Sequence, residues 1–72
     1  MKTAREKVQS AAADNGWAEH ATGDEFVDEY RLGRRHVRIT ADTYGRLTLV
    51  TTESHRYGGA GKIERALEAL TR

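Results

Sequence analysis

The chain has no cysteine and no proline, and only one tryptophan, one phenylalanine and one methionine in 72 residues. Without cysteine there is neither a disulfide framework nor a thiolate metal site. The missing staple of small secreted domains points to a reducing compartment, the cytoplasm. Without proline, no strand edge is guarded by that residue. Long apolar runs are also absent: no stretch approaches membrane-spanning length, and the segment from Met1 to Glu6 leads into a polar helix rather than the apolar part of a signal peptide. These absences predict one domain over residues 1–72, with no membrane contact. A chain this short has a thin core and modest stability, so a partner or a second copy matters more to it than to a larger domain.

What is abundant is charge, unevenly placed. The formal net charge is +1. Residues 1–30 carry three basic and seven acidic groups, whereas residues 31–62 carry seven basic groups against Asp42 and Glu53. Nine arginines against three lysines, beside ten alanines, fit a GC-rich coding bias, so the clustering of arginine says more than its number.

Thr3 followed by Glu6 is a capping box that starts a first helix. Ala4, Val8, Ala11 and Ala12 keep helical spacing, and Asn15-Gly16 stops the run, leaving Trp17 to fold back as a core anchor. Residues 18–24 are polar and predict a connection. From Glu25 the period becomes alternating. Gly33-Arg34 suits a two-residue type II′ hairpin that pairs Tyr30 with Val37, Asp28 with Ile39 and Glu29 with Arg38. The stretch from Asp42 to Arg46, with Gly45 left-handed, suits a three-residue loop that pairs Ala41 with Leu47, Ile39 with Leu49 and Val37 with Thr51. Both turns put Phe26, Tyr30, Val37, Ile39, Ala41, Leu47 and Leu49 on one face, against the stripe Ile63, Ala66, Leu67 and Leu70 of a second helix. The predicted fold is α+β: helix, three-stranded antiparallel meander, helix, with both helices on one face of the sheet. Asp28 is the inward misfit, expected at a wet sheet edge.

The other face then displays Glu29, Arg31, His36, Arg38, Thr40, Arg46, Thr48, Val50 and Thr52, with Arg34 and Arg35 at the hairpin tip. An uncovered sheet face is polar in most small domains, and Glu29 opposite Arg38 is an ordinary cross-strand pair. Arginine forks also match carboxylate and phosphate, so the candidate contact residues are Arg31, Arg34, Arg35, Arg38 and Arg46, joined by Arg56 and Lys62. The segment from Tyr57 to Lys62 enters the second helix through three glycines, where backbone amides and Lys62 could hold an anion. It fails the phosphate-loop pattern, because Arg56 stands where a glycine is required and Ile63 where Ser or Thr is.

Catalytic signals are weak. His20, His36 and His55 lack metal-ligand spacing, the carboxylates Asp24, Glu25, Asp28 and Glu29 form a run, and Ser10 and Ser54 lie in no activating context. No catalytic residue, metal or cofactor is expected, and the protein is not predicted to be an enzyme. The strand at residues 47–52 is β-branched, uncharged and at an edge. It is expected to pair with a second copy or a partner strand unless residues 53–61 cover it.

The order helix, three strands, helix resembles the topology of double-stranded-RNA-binding domains over most of the chain. Gly33-Arg34 stands where those domains have a Gly-Pro-x-His loop, and Lys62 and Arg65 stand where they have a lysine cluster. The residues Ala4-Arg5-Glu6-Lys7, Asn15-Gly16-Trp17, Phe26 with Tyr30-Arg31-Leu32-Gly33, Val37-Arg38-Ile39-Thr40 and Tyr44-Gly45-Arg46-Leu47-Thr48 resemble small accessory proteins of actinobacteriophages, mycobacteriophage-like, across about two thirds of the chain. That resemblance implies a phage protein acting in a high-GC bacterial cytoplasm by binding a host component. The expected function is a small binding module that engages a host protein through the arginine-rich sheet face, with phosphate contacts to a nucleic acid through the same face as the alternative.

Overall fold

In the computed structural model, which describes residues 2–72, Thr3 caps α1 (Ala4–Asp14) as the sequence predicts. Thr3 Oγ1 accepts the Glu6 amide at 3.2 Å, and Glu6 Oε1 accepts the Thr3 amide at 2.8 Å. The helix closes with Gly16 at φ +77°, the Trp17 amide reaching the Ala12 carbonyl at 3.0 Å and the Gly16 amide reaching Ala13 at 3.3 Å. This closure turns Trp17 into the core, where its indole Nε1–H donates to the Leu70 carbonyl at 2.9 Å.

Five antiparallel strands follow in chain order: β1 (Ala18–His20), β2 (Val27–Leu32), β3 (Arg35–Ala41), β4 (Leu47–Thr52) and β5 (Arg56–Tyr57), before α2 (Lys62–Thr71). The three long strands are the predicted meander, and the two short ones extend it. β1 lies where a connection was predicted, pairing Ala18 with Arg31 and His20 with Glu29. Three exposed residues carry no buried-face alternation, so sequence pattern does not reveal them. β5 pairs Tyr57 with Val50 and Arg56 with Thr51, so the segment after β4 does cover part of the expected free edge. Among the described residues no strand pairs with residues 47–49 of β4 on that side.

The β2–β3 hairpin has the predicted register, with Gly33 at φ +62° and Leu32 opposite Arg35. The β3–β4 register starts as predicted, Ala41 opposite Leu47, and then departs from it. Thr40 pairs with Leu49, Ile39 with Val50 and Val37 with Thr52, because Thr48 is an extra residue at a bulge. One extra residue reverses the side-chain parity beyond it. Val50 and Thr52 therefore face inward and are buried, while Leu49 is half-buried on the opposite face. The expected placing of Leu49 inside and Val50 outside is corrected accordingly.

The core joins Val8 and Ala12 of α1, Tyr30, Val37, Ile39, Ala41, Leu47 and Val50 of the sheet, and Ala66, Ala69 and Leu70 of α2 around Trp17. Ile63, expected in the helical stripe, is 36 % exposed, and Ala69 takes the inner position instead. Phe26 is half-buried just before β2.

Asp28 is not at a wet edge. It is buried on the helix side, where Arg5 of α1 meets it with both sides of a fork: Nε to Oδ2 at 2.8 Å and Nη2 to Oδ1 at 2.9 Å, joined by Gln9 Nε2 to Oδ2 at 3.2 Å. The Arg5 hydrogen bond, above all, holds the Asp28 carboxyl below its usual range. Arg5 also donates from Nη2 to the Glu25 carbonyl and from its amide to the Gly45 carbonyl at 3.0 Å, so one residue ties α1 to β2 and to the β3–β4 loop.

Because the folded Asp28 carboxyl titrates lower than in the unfolded chain, its contribution is full above the unfolded value and disappears as pH falls through the folded one. Arg5→Ala is expected to lower stability by about 2–3 kcal/mol at pH 7, with the midpoint falling by about 10 °C or more. Its deficit relative to the parent chain should shrink between about pH 5 and pH 2 in parallel thermal melts. Gly45→Ala meets two obstacles: φ is +78°, and the added Cβ would stand 2.6 Å from Thr3 Cβ and Oγ1. A loss of roughly 2 kcal/mol in urea titrations is expected.

Candidate binding face

Strand alternation sends one set of side chains to the helices and the other to a face that no helix covers. The uncovered face carries a row of directly opposed residues across all five strands: His20, Glu29, Arg38, Thr51 and Arg56. Arg31 and His36 pair beside it on one side, and Thr40 with Leu49 on the other. A shallow groove of about 490 Å³ crosses this face, lined by Val27, Glu29, His36, Arg38, Thr40, Leu49, Thr51 and Arg56.

Glu29 organises the row. Its side chain is buried on a face that no helix of the described residues covers, with two arginine side chains against its carboxylate. Arg38 donates to Oε1 from Nε at 3.0 Å and from Nη2 at 2.7 Å. Arg31 donates to Oε2 from Nε at 3.1 Å, with Nη2 2.8 Å away. The Arg38 bond, followed by that of Arg31, holds the Glu29 carboxyl below its usual range. The two arginine side chains remain 57 % and 53 % exposed, against 9 % for Glu29. Glu29 opposite Arg38 was legible as an ordinary pair, but its second arginine and its burial were not.

The seven basic residues singled out from the sequence fall in three places. Arg31, Arg38 and Arg56 share the uncovered face, joined there by Leu49 and Thr51, which the bulge turns outward. At the hairpin tip Arg34 is exposed, whereas Arg35 turns to the helix side. Its guanidinium lies over the Trp17 ring at 4.9 Å and donates to the Ala69 carbonyl of α2 at 2.7 Å and to the carbonyl of Arg72, the residue capping that helix, at 3.2 Å. Arg35 therefore satisfies carbonyls left unpaired at a helix end. Arg46 stands over Tyr44 at 5.3 Å and lines a separate hollow with Lys62, Gly61 and Ile63. Lys62 folds back on the glycine-rich segment, its Nζ donating to the Gly59 carbonyl at 2.9 Å.

Elsewhere, Asp24, Glu25 and Asp28 line the hollow beside the β1–β2 connection with Arg5. Among the described residues no group of three or more His, Asp or Glu is arranged to hold a metal ion. Ser54 Oγ and His55 Nδ1 are 2.8 Å apart on an exposed turn, and the His55 ring stacks on Tyr57 with centroids 5.8 Å apart. No described helix is long and apolar enough to cross a membrane. Set against models of known protein families, curated proteins and solved structures, the chain matches none of them.

The two tip arginines should separate by their contacts. Arg35→Ala is expected to lower stability by about 1–2 kcal/mol through the lost Trp17 stacking and carbonyl bonds. Arg34→Ala should change it by less than about 0.5 kcal/mol in the same denaturant titration.

Proposed function

We propose that this chain is a non-enzymatic binding module that engages a protein through the uncovered face of its sheet. The observation that carries this reading is the Glu29 arrangement: two exposed guanidiniums, held in place by a buried carboxylate, on a face with no covering element. A small domain gains nothing in core packing from such a group, and fixed arginines beside half-buried Leu49 and Val27 match the mixture found at the centre of protein interfaces. The resemblance to actinobacteriophage accessory proteins supports a bacterial host protein, met in the cytoplasm, as that partner. The uncovered β4 edge at residues 47–49 offers a place for a strand of that partner, or of a second copy, to add.

Phosphate contact with a nucleic acid is the alternative use of the same face. Against it stand the dispersal of the basic residues to three places and the presence of a carboxylate within the row, since a polyanion is tracked by a continuous basic stripe.

A photocrosslinking residue at Thr40, compared with one at exposed Lys7 on α1, tests the reading in actinobacterial lysate. A discrete protein adduct from Thr40, lost when Arg31 and Arg38 are both replaced by alanine, is expected. Duplex DNA, duplex RNA and single strands titrated at two salt concentrations should show no micromolar binding near physiological salt. Steeply salt-dependent micromolar binding, abolished by the same double replacement, would overturn the protein reading in favour of nucleic acid.

A further inference from the structure

We infer that the partner contacts this face with an acidic segment, whose carboxylate is held by Arg31 and Arg38 together, and that Glu29 acts as a positioning residue for that recognition. The inference rests on the uncovered face being the binding surface. It adds the chemistry of the partner and a role for a carboxylate that charge counting would treat as a hindrance.

The argument begins with donors. A guanidinium has five N–H groups in one plane. Glu29 engages Nε and Nη2 of both arginines, one through each of its oxygens. Among the described residues Nη1 of neither arginine makes a hydrogen bond, so each presents one edge with its donors unmatched. Because both are held by the same carboxylate, their separation is set by the size of that group rather than by two independent flexible side chains. An arginine free in solvent loses rotamer freedom when a partner fixes it, and here the Glu29 carboxylate already holds both. Glu29 itself is buried beneath them and does not compete with an incoming anion at the surface.

The surroundings select the anion. Arg56 lies in the same row, giving three arginines against one carboxylate, an excess of two charges. Thr40 and Thr51 supply hydroxyls, and Val27 and Leu49 supply apolar surface within the same groove. A peptide with spaced Glu or Asp and intervening apolar side chains complements all of these. A nucleic acid strand brings one charge per nucleotide and has no aliphatic side chains for Val27 and Leu49.

Anisotropy titrations of the full chain with a labelled ten-residue peptide of glutamates and two leucines, and with oligothymidylate of equal charge, test the inference. Glu29→Gln makes the face one charge more positive. Net charge alone therefore requires tighter peptide binding, whereas positioning requires weaker binding, by about tenfold. Arg38→Lys retains the charge and loses the fork, and should weaken binding by a similar factor. Should Glu29→Gln not fold by circular dichroism, Arg38→Lys and Arg31→Lys carry the test. Glu29→Gln binding as tightly as the parent chain or tighter, unchanged affinity in the lysine variants, or oligothymidylate binding more tightly than the peptide would each overturn it. If the peptide fails to bind while the arginine-dependent Thr40 adduct persists, the acidic-segment inference fails alone. Loss of both removes the binding face as well.

Discussion

Two consecutive carboxylates of β2, Asp28 and Glu29, organise the two sides of this small sheet. Adjacent strand residues point to opposite faces, so Asp28 enters the helix side and Glu29 the uncovered side. Both are buried, and each is met by arginine through several charge-assisted hydrogen bonds. A buried carboxylate without such partners is unfavourable, most of all for Asp28, whose arginine is itself largely covered; Arg31 and Arg38 stay more than half exposed, where water moderates the cost of losing them. On the helix side the pair fixes where α1 begins relative to β2 and the β3–β4 loop. On the other side the same chemistry leaves two guanidiniums more than half exposed at the surface.

The bulge at Thr48 decides what lies around those guanidiniums. Without the extra residue, strict alternation along β4 would send Leu49 inward with Leu47 and place Val50 and Thr52 outside. With it, the core gains Val50 and the uncovered face gains Leu49 and Thr51. Bulges are common where a strand must re-aim side chains, and this one lies beside the groove. β5 pairs only with Val50 and Thr51, downstream of the bulge, which divides the β4 edge into a covered and an uncovered half.

The elements fixed by strong local chemistry were legible in the sequence. The Thr3–Glu6 capping box, the Asn15-Gly16 stop and the Gly33 and Gly45 turns each demand one backbone geometry, and all four are found. The bulge was not legible because Leu47-Thr48-Leu49-Val50-Thr51-Thr52 is apolar or β-branched in both parities, so periodicity does not choose between registers. β1 and β5 were missed for a related reason: strands of three and two residues bury no face of their own. Ile63 and Ala69 exchanged roles because helical spacing marks a broad stripe, and its exact centre depends on where α1 packs. Of the candidate site, the arginines on β2 and β3 were legible from alternation. The diversion of Arg35 to Trp17 and the carbonyls at the end of α2 was not, since it depends on the tertiary closeness of residues far apart in the chain.

The charge asymmetry of the sequence changes meaning once the chain is folded. Counted along the chain, an acidic first half faces a basic second half. Counted in space, the two buried acids of the first half are taken up by arginine: Asp28 by Arg5 within that half, and Glu29 by Arg31 and Arg38 from the other. The pairing consumes formal charge but not hydrogen-bonding capacity, because a carboxylate accepts along one edge of each guanidinium and leaves another edge unused. A surface of this kind has a modest net field and a sharply defined local geometry. Under the proposed binding role, such a surface discriminates by fit rather than by long-range attraction.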